Sequence, residues 1–294
     1  MAIAFPSAAS AAVLYDGIDT TPPGFITSQD FEASFDDFDA VTADDFTVPV
    51  GKVWHPSAIR VTGFKVGATS TSAVNVNLYS NAGTLPGSQF FSTQAQAAAG
   101  TTYPDFNLPV PTAPVLAPGT YWLGVQARLD GVSPGNPQQW FWRESSEGSG
   151  SPPAFVNPGN GFNSGCTTFS PKSACPLPKV PPPGTEARTG PGQSFSIDGV
   201  QAPAKLSVSK AKAKSAGKLA LTLSVPNVGK LQATSPQMKG ASKTVREIGK
   251  AQLVLSPTAE TKGKLSRGRP VTATVNLSLP GLAAPGSRPP SPSG

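Results

Sequence analysis

Proline and glycine are so frequent in this chain that they constrain its fold more than any other feature. The 294 residues include 33 prolines and 30 glycines, and only 14% of the residues are charged. Both residue types weaken the interior of a helix, and both supply the backbone angles that chain reversals need. The composition therefore favours short strands joined by many turns over packed helices.

Between the turn-rich segments, apolar and polar residues alternate with a period of two. This pattern is typical of a strand with one buried face. It occurs at residues 74–79, 121–128, 195–198, 219–225, 251–255 and 271–279. No convincing amphipathic helix pattern accompanies it. We therefore predict an all-β chain, an antiparallel β-sandwich of jelly-roll or Ig-like type followed by a smaller Ig-like β-sandwich.

Charge divides the chain into two unlike parts. Residues 1–202 hold 8 basic and 15 acidic residues, which gives −7, whereas residues 203–294 hold 15 basic and 2 acidic residues, which gives +13. Such a break is typical of a domain boundary. We predict an acidic β-sandwich domain at 13–202, a basic Ig-like domain at 203–280, and a disordered Pro- and Ser-rich tail at 281–294.

The amino terminus and the cysteines indicate export. Residues 1–12 read as a signal-peptide remnant or a disordered segment, and Ala9-Ser10-Ala11 fits an A-x-A cleavage site. The only two cysteines, Cys166 and Cys175, are close enough in sequence to pair in an oxidising compartment; in the cytosol they would be free thiols. We predict a secreted, extracellular protein without a membrane span, since no run of 18 apolar residues occurs.

Several segments of the acidic region together resemble a known module. They are ADDF at 43–46, PGTYW at 118–122 and NPGNGF at 157–162, followed by the two cysteines. In this order they resemble a β-sandwich module of secreted bacterial proteins. The resemblance implies a secreted sandwich and implies no catalytic residue. The basic region resembles, in composition, the Lys-rich Ig-like C-terminal modules of proteins exported by high-GC Gram-positive bacteria.

The glycine-rich stretch at 157–166 has two interpretations, a ligand cradle or a pinned turn. It matches neither the phosphate-binding loop pattern nor the dinucleotide-binding pattern, and no helix is predicted after it. A disulfide between Cys166 and Cys175 would close a short loop and remove about 2.5 kcal/mol of unfolded-chain entropy. We predict that the stretch is a surface connection held by that disulfide.

Catalysis has little support in the sequence. His55 is the only histidine, and it precedes a proline with no G-x-S-x-G motif nearby. One imidazole removes most catalytic triads and histidine-based metal sites. We predict that the protein is not an enzyme; the alternative is an extracellular hydrolase with loop carboxylates, whose spacing only the fold could set.

Two further sets of residues are candidates for ligand binding in the acidic region. Exposed tryptophans would stack on sugar rings, as in a carbohydrate-binding module, whereas buried ones would be ordinary sandwich core. The tryptophan candidates are Trp122, Trp140 and Trp142. Clustered carboxylates would supply the oxygen ligands of a structural calcium ion, or else form a solvated strand edge. The calcium candidates are Asp36, Asp37, Asp39, Asp44 and Asp45.

The basic region suggests a polyanionic partner. Lysine attracts a polyanion through charge rather than shape. Nucleic-acid binding would add aromatic stacking, and residues 203–294 contain no Phe, Tyr or Trp. An anionic cell-wall polymer or polysaccharide fits better; the alternative is a merely soluble charged surface. We predict a non-catalytic, secreted or cell-surface binding protein of this kind, with contacts from Lys210, Lys212, Lys214, Lys243 and Arg246.

Overall fold

The computed structural model divides into two compact units. One is formed by residues 11–49 and 54–200, and the other by residues 50–53 and 201–279. The described residues are 11–67, 71, 73–99, 104–129, 138–148, 150–176, 190–246 and 248–279. The tail predicted at 281–294, and the predicted signal-peptide remnant apart from its last two residues, lie outside these ranges.

The larger unit is built from short strands and two 3-10 helices, Ala33–Phe38 and Lys172–Ala174. Its strands are β1 (Ala12–Asp16), β2 (Phe25–Thr27), β3 (Gln29–Phe31), β4 (Val41–Val48), β5 (Lys52–Val61), β6 (Gly63–Val66), β7 (Ala73–Ala82), β8 (Leu85–Gln96), β9 (Phe106–Pro109), β10 (Gly119–Leu129), β11 (Gln139–Ser145), β12 (Ala154–Val156), β13 (Ser170–Pro171), β14 (Gly192–Gln193) and β15 (Phe195–Pro203).

These strands form three sheets that are antiparallel almost throughout. The largest has the order β13-β12-β4-β10-β7-β8, and β3 adds to β10 in parallel. A second has the order β1-β15-β5-β9. In the third, β11 lies between β14 and β2 and also pairs with β6. The prediction of an all-β, antiparallel sandwich fold is confirmed.

Strand register explains how the sheets bury a common core. Val125 lies opposite Val76 and Leu123 opposite Leu78, so the apolar faces of β10 and β7 coincide. All four side chains belong to one buried cluster that also contains aromatic residues of the other sheets. Residues at positions i and i+2 of a strand share a face, which is why the alternation at 74–79 and 121–128 predicts this packing.

The smaller unit has two three-stranded sheets and one helix. Its elements are β16 (Ser207–Ala213), a 3-10 helix (Ser215–Gly217), β17 (Leu219–Val225), β18 (Gly229–Thr234), β19 (Ala241–Val245), β20 (Gly249–Leu255), α1 (Ala259–Ser266) and β21 (Asn276–Ser278). The sheet orders are β16-β17-β20 and β19-β18-β21. Leucines of β17, β18 and β20 share one buried cluster, so the sheets enclose a single small core.

The smaller unit differs from the sequence analysis in two places. Apolar and polar residues alternate over 271–279, and the more buried positions alternate with the exposed ones. Only Asn276–Ser278, however, forms a strand. Just before it, the Thr274 backbone N–H bonds the Gln237 side chain instead of a neighbouring strand. The helix α1 was not predicted, because Thr261 is its only buried residue and it therefore carries no apolar stripe. Its start is stabilised by Thr258, whose hydroxyl accepts from the Thr261 N–H.

The glycine-rich stretch at 157–166 packs against the first 3-10 helix. The buried Asn157 side chain donates to the carbonyls of Asp37 and Asp39 at 2.7 and 2.8 Å. A Cβ on Gly159 or Gly161 would lie 2.4 or 2.7 Å from the Asp37 backbone, so only glycine permits this approach. The predicted Cys166–Cys175 disulfide is present. In the described part of the chain, no helix is long and apolar enough to cross a membrane.

Candidate functional site

A basic surface covers the outer face of one sheet in the smaller unit. Lys210 lies opposite Thr222 and Lys212 opposite Ala220, and on the next strand Lys250 lies opposite Ser224. These positions alternate with buried leucines of β17, so the lysines point away from the core. We call this surface the basic face; its residues are Lys210, Lys212, Ala220, Thr222, Ser224 and Lys250.

The other predicted polyanion contacts lie elsewhere. Lys214 directly follows β16 and is exposed, but Lys243 belongs to β19, the edge strand of the other sheet. Lys243 is in register with the buried Leu231, and Arg246 comes just after the strand ends. The structure therefore divides the five predicted residues between two sheets. A lysine on the inner side of an edge strand also discourages pairing with another chain's strand.

Exposed cations greatly outnumber carboxylates in this unit. Each basic side chain among its described residues is exposed. Those after residue 203 are Lys205, Lys210, Lys212, Lys214, Lys218, Lys230, Lys239, Lys243, Arg246, Lys250, Lys262, Lys264, Arg267 and Arg269. The described residues after 203 include one carboxylate, Glu260, and its Oε1 lies 2.6 Å from the Lys264 Nζ. The positive potential of this surface is thus little compensated from within the unit.

The tryptophan candidates are core residues, so the prediction of a sugar-stacking platform from them is wrong. Trp122, Trp140 and Trp142 are each 0% exposed. Each indole N–H also has an internal acceptor: Trp122 donates to Asn81 Oδ1, Trp140 to the Pro104 carbonyl and Trp142 to the Ser194 carbonyl. A buried, hydrogen-bonded indole offers no face to a pyranose ring. The alternative interpretation of sandwich core accounts for all three.

The five aspartates do not converge on a calcium site. Asp36 and Asp37 are exposed, and Asp39 accepts the Phe31 N–H at 2.7 Å. Asp44 and Asp45 are buried on β4, where successive residues point to opposite faces of the sheet. Among the described residues no group of three or more His, Cys, Asp or Glu side chains could hold a metal ion. The calcium prediction for this set is therefore wrong.

Asp44 is instead buried, and it lies opposite Leu123 on β10. Burial raises its pKa to about 8, and the neighbouring Asp45 adds to the rise. Hydrogen bonds to its carboxylate from the Gln193 and Asp45 N–H groups, at 2.6 and 3.0 Å, lower the pKa and partly offset this rise. The carboxyl group therefore gives up its proton less readily than an ordinary aspartate does.

We expect Asp44 to make stability fall as pH rises. Its folded pKa is above the unfolded value of about 4, so between these values the folded state holds a proton that the unfolded state has lost. The stabilising contribution of this proton on Asp44 is fully present below pH ~4 and is lost as pH rises through about 8. Asp44→Asn cannot ionise. Denaturant unfolding at several pH values should show wild type losing stability relative to Asp44→Asn; a constant difference would contradict the assignment.

A buried ion pair in the larger unit had no signal in the sequence. The Lys172 Nζ lies 2.6 Å from Glu144 Oε1 and donates to the Gly190 carbonyl at 2.9 Å. The Gly190 N–H donates in turn to Glu144 Oε2. The pair joins the second 3-10 helix to β11 and to the segment before β14. Its geometry is that of a structural link, because both side chains are almost completely buried.

Comparison with known proteins adds no relative. No protein-family model, curated protein or solved structure matches this chain. The fold and the exposed cations define an all-β protein of two compact units, one of which presents a strongly basic surface.

Proposed function

We propose that this protein is a non-catalytic, secreted binding protein whose smaller unit attaches it to an anionic cell-surface polymer. The observation that carries the proposal is the charge of that unit. The fourteen described cations after residue 203 are all exposed, and the single described carboxylate there is paired with Lys264. A phosphate- or carboxylate-bearing polymer is the partner that such a surface attracts most strongly.

The shape of the basic face supports a flexible polymer as the partner. Lys210 and Lys212 are two residues apart on one strand, which separates them by about 6.6 Å. The side chains between these lysines and Lys250 are small, so the face is open. Lysine ammonium groups act as point charges and require no fixed ligand geometry. A linear polyanion could therefore engage several of them at once.

The same surface argues against nucleic acid as the preferred partner. Single-stranded nucleic acids gain much of their affinity from bases stacked on aromatic side chains. Residues 203–294 contain no Phe, Tyr or Trp, so base stacking is not available from this region. A surface that attracts its partner through charge alone therefore favours a simple anionic polymer over a nucleic acid.

We expect neutralisation of the basic face to weaken polyanion binding. The variant is Lys210→Gln/Lys212→Gln/Lys250→Gln, and its matched control replaces the same three lysines with arginine. A lysine near an anionic surface contributes about 1 kcal/mol, or roughly fivefold in affinity, so three together should contribute somewhat more than about a hundredfold at low salt. Binding of the full chain to phosphocellulose is the measurement.

The control separates charge from shape. The arginine variant keeps all three charges and should bind like the wild type, and unchanged far-UV circular dichroism would show that both variants fold. Equal retention of the glutamine variant and the wild type would mean that the basic face is only a solvated surface.

A further inference from the structure

A cleft in the larger unit has a different charge pattern from the basic face. It encloses about 420 Å³. It lies where the segment after β1, the junction of β5 and β6, the start of β9 and β11 meet. Its polar walls come from Asp19, Thr62, Gly63, Asp105 and Arg143. The cleft therefore combines one guanidinium with two carboxylates.

Arg143 is fixed in the cleft but keeps hydrogen-bonding capacity. Its Nε donates to the Gly63 carbonyl at 2.7 Å, and its guanidinium carbon lies 6.0 Å from the centre of the Phe64 ring. The described residues offer no hydrogen-bond acceptor to its two terminal nitrogens. A guanidinium held in this way presents a planar pair of donors that matches a carboxylate.

The two carboxylates differ in how far they are already engaged. Asp19 accepts four hydrogen bonds, from the backbone and hydroxyl groups of Thr21 and Ser146. The hydrogen bonds from Ser146 are the main reason that its pKa is lowered. The exposed Asp105 accepts only the Gly63 N–H, at 2.8 Å through Oδ1, from the described residues. Asp105 is thus the carboxylate with room for a ligand.

Gly63 limits the distance between the two open charges. Its N–H binds Asp105 and its carbonyl binds Arg143, so the bonded atoms are at most about 9 Å apart by standard backbone dimensions. They do not pair with each other among the ion pairs of the described residues. A Cβ on Gly63 would lie 2.2 Å from both the Pro104 carbonyl oxygen and Trp140 Nε1, so glycine is required here.

We propose that this cleft binds a small zwitterion, a free α-amino acid. Its carboxylate would bind Arg143 and its ammonium group Asp105. The two ionic hydrogen bonds and the ligand atoms between them span at most roughly 9 Å, which lies within the limit set through Gly63. A simple anion would leave the Asp105 carboxylate without a counter-charge, and a polyanion would be repelled by both carboxylates. This site is independent of the polymer-binding surface.

Ligands blocked at one end test the proposal without altering the protein. Isothermal titration of the full chain would compare free L-alanine, L-glutamate, L-lysine and L-phenylalanine with N-acetyl-L-alanine and L-alaninamide. We expect binding of at least one free amino acid. Each blocked form should bind about ten- to a hundredfold more weakly than free alanine, because each lacks one charge-assisted hydrogen bond.

Variants then assign each charge to a residue. Asp105→Asn keeps an oxygen for the Gly63 N–H and should remove the preference for alanine over its N-acetyl form. Arg143→Lys should weaken binding of alanine while leaving binding of alaninamide nearly unchanged. The proposal would be overturned if no free amino acid bound at millimolar concentration, or if blocked and free forms bound equally.

Discussion

Lys172→Met is expected to lower the free energy of unfolding by about 3–5 kcal/mol. The Glu144 side chain is 0% exposed, and its Oε1 lies 2.6 Å from the Lys172 Nζ. Removing the ammonium group leaves a buried carboxylate without its closest counter-charge. The cost of that uncompensated charge, rather than the intrinsic strength of the pair, dominates the expected loss. Urea unfolding at neutral pH measures it directly.

The double variant Glu144→Gln/Lys172→Met is the matched control. It removes both charges, so it should be more stable than Lys172→Met alone. If Lys172→Met costs less than about 1 kcal/mol, or if the double variant is no better than the single one, the pair does not link β11 to the second 3-10 helix as described.

Trp142→Ala is expected to cost about 3–5 kcal/mol of stability. The indole is fully buried, contacts Phe195 edge-on at a centroid distance of 5.8 Å, and donates to the Ser194 carbonyl. Alanine would leave a cavity, and the Ser194 carbonyl would keep only the 3.3 Å hydrogen bond from the Thr62 N–H. Denaturant unfolding measures the loss, and Phe90→Ala is a suitable control because that ring is 44% exposed.

The comparison of the two aromatic variants separates a core role from a binding role. A core tryptophan should cost far more stability than the half-exposed phenylalanine. A fully stable Trp142→Ala protein would contradict the burial seen in the structure and would restore a sugar-stacking role for this residue.

The sequence predicts strands well where one face is buried and the other is not. At β7 and β17 the apolar residues fall at every second position, and the structure places them in the two cores. The short disulfide loop was also predictable, because Cys166 and Cys175 are the only cysteines. Both features depend on residues that are close together in the sequence, so the sequence pattern alone is enough to predict them.

Features that depend on distant residues could not be predicted. Asp44 accepts its hydrogen bond from Gln193, which is 149 residues away, and no local pattern identifies that partner. The acidic run therefore resembled a cation site although the fold separates its carboxylates. The cleft is likewise assembled from four chain segments, and neither Arg143 nor Asp105 is a sequence candidate.

The basic surface is an intermediate case. Exposure of the lysines follows from their chemistry, since lysine is almost never fully buried without a partner. Their grouping does not: Lys250 joins Lys210 and Lys212 only because β17 lies between β16 and β20. The sequence analysis groups Lys243 with Lys210 and Lys212 because of its charge, but the fold places Lys243 on the other sheet.

Retention of the full chain on purified cell-wall sacculi over a salt series tests the central claim most directly. Salt screens exposed charges, and at about 1 M the screening length is only about 3 Å. We predict retention at low salt, elution as salt rises, and release by a soluble polyanion. Failure to bind at low salt, or retention that salt does not change, would contradict the attachment of this protein through its basic unit.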